Sequence, residues 1–95
     1  MKFNFSLPKN TMVITTKDII QKEKDILVVS HDAEDGIWQF LDGEDITEDN
    51  AAVVSLFEIF EIDNSISELS SLPLGCVAYR EQKDEKWLIE NNASM

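Results

Sequence analysis

The chain has 95 residues and a formal charge of −11, from 19 acidic and 8 basic side chains. No Lys or Arg occurs between Asp25 and Tyr79, a stretch of 55 residues that holds 13 carboxylates. Such a field attracts basic protein surfaces, and it repels nucleic acid and anionic membranes, whose phosphates need Lys and Arg. The composition therefore predicts neither a nucleic-acid partner nor a membrane partner.

Length and composition predict one domain, residues 1–95, with an ordered core of about residues 2–90. Hydrophobic residues make up 43% of the chain, which is ordinary for a globular protein. The only cysteine, Cys76, has no partner for an internal disulfide, and its apolar neighbours predict a buried structural thiol. No apolar segment typical of a signal peptide follows Met1–Ser6, so a cytoplasmic location is expected.

The first predicted elements are two strands and a short helix. Phe3 and Phe5 alternate with polar residues and predict a short edge strand. The apolar segment Met12–Ile14 predicts a second strand. Thr15 is followed three residues later by Asp18, and this spacing predicts the start of a short helix.

A β-hairpin is the strongest structural signal in the chain. Ile26–Ser30 and Ile37–Leu41 are apolar segments of strand length, and Ala33–Gly36 joins them. Its last two residues form an Asp-Gly pair, in which the glycine supplies the positive φ that such a turn needs. We therefore expect an antiparallel pair in which Trp38 and Phe40 lie on the same face.

Three short helices are predicted after the hairpin, each started by a hydroxyl side chain that can accept from first-turn amides. They run from Thr47 through Ala52, from Ser55 to Phe60 or Ile62, and from Ser65 to Leu69 or Leu72.

A second hairpin completes the prediction. Pro73 and Gly75 end the helical part, and Cys76–Arg80 predicts a strand that turns back into Lys86–Ile89. The expected fold class is α+β, an antiparallel sheet built from two hairpins with short helices packed on one face.

The sequence contains little that indicates a catalytic site or a metal site. His31 is the only histidine and is followed by Asp32, so a carboxylate partner within the turn is expected for its ring. The acidic turns fail the calcium-loop template, because Gly36 at its invariant sixth position puts His31 first and Ala33 third. No catalytic residue, no metal and no cofactor is predicted.

The aromatic residues have two interpretations. The first is that they form the core. The second is that Trp38 forms a recognition surface with its acidic neighbours, on which a partner's Arg stacks while pairing with carboxylates. The candidate partner-binding residues are His31, Asp32, Glu34, Asp35, Trp38, Asp42 and Glu44.

Several segments together resemble a family of small bacterial proteins, some of which are immunity proteins of toxin–immunity systems. The shared pattern is an Asp and a Gly before a Trp, an acidic Gly-Glu turn, a short helix and a Pro-x-Gly turn. Ile37 stands between Gly36 and Trp38, where the related domains read Asp-Ser-Gly-Trp. The resemblance covers roughly residues 28–88 and is carried by Asp35–Glu44, Val54–Ile59, Asp63, Leu72–Gly75 and Tyr79–Arg80. It implies an inhibitor-like binding role and no enzyme activity.

Two functional hypotheses follow. The first is a small acidic protein, an immunity-type inhibitor, that docks as a monomer on a basic protein partner such as a toxin. The second is a self-associating accessory or regulatory domain without catalytic activity, which forms a homodimer through a sheet edge. Salt separates the two, because screening weakens docking between opposite charges and strengthens association between like charges.

Overall fold

A six-stranded mixed sheet forms the centre of the α+β fold, which also contains short helices. The computed structural model describes residues 3–91. The strands are β1 (Met12–Thr16), β2 (Val28–His31), β3 (Trp38–Leu41), β4 (Ala51–Ser55), β5 (Cys76–Tyr79) and β6 (Leu88–Asn91). The helices are α1 (Lys17–Ile20), α2 (Leu56–Ile62) and a 3₁₀ helix, Asn64–Leu69. The strand order across the sheet is β4-β1-β3-β2-β5-β6.

The predicted hairpin is confirmed. Strands β2 and β3 are antiparallel, with His31 opposite Trp38 at the loop end. Trp38 and Phe40 share the covered face, where they are 3% and 0% exposed. The first strand begins at Val28 rather than at Ile26, whose carbonyl instead accepts hydrogen bonds from the Arg80 side chain.

The sheet is not built from two hairpins alone. The predicted second hairpin is present as the antiparallel pair β5–β6, and β5 also pairs with β2. Strand β1 is inserted between β3 and β4, and it runs parallel to β3 and antiparallel to β4. The sheet is therefore mostly antiparallel with one parallel pair.

The predicted helix from Thr47 through Ala52 is wrong. Residues 47–50 form a single turn, in which the Thr47 hydroxyl accepts from the Asn50 amide at 3.3 Å. The chain then enters β4, where Ala51 and Ala52 pair with Thr16 and Thr15 of β1. The preference of alanine for helices is weaker than cross-strand pairing supported by the β-branched Val53 and Val54.

The predicted strand at Phe3 and Phe5 is also wrong. This segment pairs with no strand and crosses the helical layer, where the Asn4 amide lies 3.4 Å from the Ser67 hydroxyl oxygen that accepts its hydrogen bond. Phe5 packs edge-on against Trp38 with ring centroids 5.3 Å apart. The alternation of aromatic and polar residues reflects packing on one side of an extended segment. The predictions for the chain ends fall on residues 1, 2 and 92–95, which lie outside the described range.

Three side chains begin the helices. Ser55 begins α2 as predicted, and its hydroxyl accepts from the Glu58 amide at 3.2 Å. The other two predicted starts are displaced: Thr16, not Thr15, caps α1, and Asp63, not Ser65, caps the 3₁₀ helix. Thr15 is unavailable because its hydroxyl is buried and donates to the Phe40 carbonyl at 2.7 Å.

The strand directions place the loop of the β2–β3 hairpin at one end of the strands. Strands β1, β3 and β5 start at this end of the sheet, whereas β2 and β4 finish there. Leu72 and Gly75 lie at the same end of the sheet, since the Gly75 amide donates to the His31 carbonyl. Cys76 begins β5 here and is buried, which confirms the prediction of a structural thiol.

Candidate functional site

The candidate site is the hairpin end, which we define as residues 31–38. Two main-chain hydrogen bonds close its loop, from Asp32 to the Ile37 carbonyl and from Gly36 to the Asp32 carbonyl, both 2.9 Å long. Gly36 has a φ of 73°, which favours glycine over any residue with a side chain. The predicted Asp-Gly turn therefore has the backbone conformation that its glycine implied.

Both aspartates of the loop fix its shape with their own side chains. An Oδ1 of Asp32 accepts from the Glu34 amide at 2.8 Å, and an Oδ1 of Asp35 accepts from the Ile37 amide at 2.9 Å. These side chain–backbone turns hold the carboxylates in defined positions. The loop is therefore ordered by the same groups that give it its charge.

The charge of the loop is not neutralised by the rest of the described chain. Across residues 3–91, ion pairs form at Lys24–Glu44 and at Arg80–Asp63, and neither involves Asp32, Glu34 or Asp35. Glu34 and Asp35 are exposed to solvent. The exposed Glu34 and Asp35 and the half-buried Asp32 therefore give this loop three negative charges within four residues.

His31 differs from the prediction, which gave it a carboxylate partner. Its Nδ1 lies 2.8 Å from the carbonyl oxygen of Leu72. Because a carbonyl can only accept, Nδ1 is the donor of this hydrogen bond. The ring also stacks on Trp38, with centroids 4.1 Å apart. His31 thus connects the hairpin to the segment before β5.

Trp38 belongs to the core. It is 3% exposed, with His31 stacked on it, Phe5 at its edge and Phe40 beside it in β3. This confirms the first interpretation of the aromatic residues for Trp38. An indole enclosed in this way forms an inner wall of the hairpin end and not a surface platform on which a partner's Arg could stack.

A cleft of about 380 Å³ opens beside the loop, between the β2–β3 hairpin and the segments around it. Gly36, Ile37 and Trp38 contribute one side, and Ser70 and Ser71 contribute polar groups. The apolar walls come from distant parts of the chain, namely Phe5, Leu7, Met12 and Leu72. The sequence did not predict this cleft, because only the fold brings residues 5–12 and 70–72 to the hairpin end. Met12 is a large apolar residue of this cleft that stays 59% exposed, and its exposure is visible only in the structure.

Asp42 and Glu44, the remaining candidates, lie at the opposite end of β3. Five residue steps of about 3.3 Å separate Asp42 from Ile37, so the two ends are roughly 16 Å apart. Glu44 pairs with Lys24 at 2.8 Å, and this hydrogen bond together with the Lys24 charge lowers the pKa of Glu44. The structure therefore brings together five of the seven predicted residues and separates the other two.

A buried ion pair stabilises that opposite end. Arg80 donates to Asp63 at 2.6 Å, to Ser65 at 3.1 Å and to the Ile26 carbonyl, and it lies 3.9 Å from the ring centre of Trp87. Burial alone would raise the pKa of Asp63, but the hydrogen bonds from Ser65 and Arg80 and the Arg80 charge outweigh it, so the pKa lies below 3.8. This arrangement is structural: the Arg80 side chain is 1% exposed.

The described residues offer neither a metal cluster nor a membrane helix. Within residues 3–91, no group of three or more His, Cys, Asp or Glu is placed to hold a metal ion. In the same range, no helix has the length and apolar character needed to cross a membrane.

No protein-family model, no curated protein and no solved structure matches this chain. No residue role is therefore transferred from another protein. The chemistry of the hairpin end follows from its own geometry and charge.

Proposed function

We propose that the protein is a non-catalytic binding protein, an immunity-type inhibitor that docks a basic protein partner at the hairpin end. The observation that carries this proposal is the loop with Asp32, Glu34 and Asp35. Its three carboxylates have no ion-pair partner within residues 3–91, and two of them are held by hydrogen bonds to the loop backbone. The partner supplies the Lys and Arg that the middle of this chain lacks.

The rigidity of the loop supports docking. A binding loop that is already ordered loses less conformational entropy when a partner binds, so more of the contact energy appears as affinity. Exposed carboxylates also raise the association rate of a basic partner through long-range attraction. Both properties suit an inhibitor that must find and hold one protein.

The surroundings of His31 support a binding role over a catalytic one. Its Nδ1 is engaged by a main-chain carbonyl, and its ring is stacked on a buried tryptophan. A general base in a nucleophilic site needs a side chain within hydrogen-bonding reach to deprotonate. Within residues 3–91, the hydrogen bond of the His31 ring goes to the Leu72 carbonyl and its ring contact is with Trp38.

Titration with a small basic probe tests the proposal. Isotope-labelled protein is titrated with the blocked tripeptide acetyl-Arg-Leu-Arg-amide while the amide resonances are followed. We expect saturable shifts concentrated at residues 31–38, and none with the acidic control acetyl-Glu-Leu-Glu-amide. Shifts centred on Asp42–Asp49, or spread evenly over every acidic segment, would contradict the proposal.

Self-association is the second candidate function, and the edge strand β6 favours it. All four residues of β6 are exposed, including Leu88 and Ile89 at 56% each. An exposed apolar edge strand can pair with a second copy of itself. Light scattering at low and high salt separates the candidates: a docking protein stays monomeric alone, whereas a self-associating one forms a dimer that tightens as salt screens its negative charge.

A further inference from the structure

The cleft beside the hairpin end has no role in the proposed binding of basic side chains by the charged loop. Its volume of about 380 Å³ lies in the range of small-ligand pockets. Six of its twelve lining residues are large and apolar, and three of these, Phe5, Trp38 and Leu72, are buried. Met12 exposes 59% of its surface at the same place.

The walls of the cleft are fixed by contacts that also order the loop. The hydrogen bond from His31 to the Leu72 carbonyl joins the two sides at 2.8 Å, and the Gly75 amide adds a second link to the His31 carbonyl. Phe5 is held edge-on against Trp38. A cleft with such walls is formed before any partner arrives.

We infer that this cleft receives an aliphatic side chain from the basic partner, adjacent to the Lys or Arg that meets the loop carboxylates. The inference rests on the proposed function and specifies its partner. The negative charge beside the cleft favours a basic occupant. Gly36 and Ile37 line the cleft, and the acidic Glu34 and Asp35 directly precede them in the chain. A segment that carries a positive side chain next to an aliphatic one satisfies both features at once.

In protein interfaces, a few side chains that are desolvated in pockets carry most of the affinity, and exposed charges at the rim contribute mainly orientation and rate. Removing three carbon atoms from such an anchor exposes apolar cleft surface to water again. The aliphatic side chain is therefore the larger source of affinity, and the basic side chains set which apolar segments are accepted.

Two peptides of equal charge test the inference on the unmodified protein, acetyl-Arg-Leu-Arg-amide and acetyl-Arg-Ala-Arg-amide. We expect the leucine peptide to bind at least tenfold more tightly, about 1.4 kcal/mol, with additional shifts at Leu7, Met12 and Leu72. Equal affinity, with shifts confined to the loop, overturns the cleft assignment and leaves the docking proposal intact. If neither peptide shifts residues 31–38, the proposed function itself fails.

A variant that fills the cleft provides an independent check. Ser71 is exposed and lines the cleft, so Ser71→Leu places a bulky side chain in it. We expect this variant to lose most of the preference for the leucine peptide while it binds the alanine peptide as before. The control Gln82→Leu adds an exposed leucine in the β5–β6 turn and should retain the full preference. A Ser71→Leu protein with an unchanged preference would contradict the inference.

Discussion

The carboxylates at the two ends of the β2–β3 hairpin differ in whether they form ion pairs within residues 3–91. At the opposite end, where β3 runs into Asp42 and Glu44, basic side chains are present: Lys24 pairs with Glu44, and Arg80 pairs with the buried Asp63. At the hairpin end, the Asp32 and Asp35 carboxylates hydrogen-bond to the loop backbone, and Glu34 and Asp35 are exposed. Two basic residues of this acidic chain thus pair with carboxylates away from the hairpin end, whose carboxylates have no ion-pair partner within residues 3–91.

The difference separates stability from binding. A buried carboxylate must be compensated, because leaving a charge without a partner in the core is strongly unfavourable. Exposed carboxylates need no compensation from within the chain, since water and salt screen them. Substitutions at the opposite end are therefore expected to change the free energy of unfolding, and substitutions at the hairpin end to change association.

The largest expected effect is that of Arg80→Ala. This change leaves Asp63 buried without its cation and removes the donors to the Ile26 carbonyl, so we expect a loss of about 3–5 kcal/mol in the free energy of unfolding. Urea denaturation measures it. The exposed Lys83 provides a matched control, and Lys83→Ala should change stability by less than about 0.5 kcal/mol. Similar losses for the two variants would show that the buried pair is not what stabilises this end.

Acid sensitivity is the next largest effect. Because folding lowers the pKa of Asp63, its contribution to stability is present above 3.8 and is lost as the pH falls through the lower pKa of the folded state. The free energy of unfolding should therefore decline below about pH 4 more steeply in the native protein than in Asp63→Asn. Denaturation curves between pH 2 and pH 6 provide the comparison, and equal slopes would exclude Asp63 as a main source of the acid sensitivity.

A smaller effect is expected from the helix cap at Ser55. Replacing it with alanine removes the acceptor for the Glu58 amide, which typically costs about 1 kcal/mol. Thermal or urea unfolding of Ser55→Ala measures the loss. Ser6→Ala, in an exposed coil position, serves as the control and should leave the midpoint unchanged.

The smallest effect on stability is expected at the hairpin end. Asp32→Asn and Asp35→Asn keep an Oδ1 that accepts the same backbone hydrogen bonds, so the combined variant should unfold within about 0.5 kcal/mol of the native protein. Its association with a basic partner should slow, because the charge is lost while the loop keeps its shape. A large loss of stability would mean that the charges and not the Oδ1 acceptors order this loop.

The strongest local signals predicted the fold best. The Asp-Gly turn between two apolar segments gave the β2–β3 hairpin, and the Ser55–Glu58 spacing gave the start of α2. The failures at Phe3 and Phe5, and at Ala51 and Ala52, have another cause: those residues contact partners far away in the chain. Strand β1 pairs with β3 and β4, which are distant in sequence, and no local sequence pattern specifies such pairing. The mixed sheet could therefore not be predicted from neighbouring segments.

The candidate site was predictable only in part, for the same reason. Asp32, Glu34 and Asp35 share a loop because they are close in sequence. Asp42 and Glu44 were grouped with them by composition, but a strand of fixed rise carries them to the other end. The cleft depends on residues 5–12 and 70–72, and His31 bonds to Leu72 across 41 positions.

The central claim, that the hairpin end is the docking surface, is tested most directly by two variants of equal charge. One changes Asp32, Glu34 and Asp35 to their amides, and the other changes the exposed Asp45, Glu48 and Asp49. Each removes three of the 19 carboxylates. Any difference between the variants therefore reports position and not net charge.

The measurement is the Kd of acetyl-Arg-Leu-Arg-amide at low and high salt for the native protein and both variants. We expect the hairpin-end variant to bind about tenfold more weakly at low salt and to lose most of its salt dependence, since two exposed ion pairs of about 0.7 kcal/mol each, one for each Arg of the peptide, sum to about 1.4 kcal/mol. The control variant should stay within about twofold of the native protein. Equal weakening of both variants would contradict the account, because the peptide would then respond to the overall negative charge and not to the hairpin end.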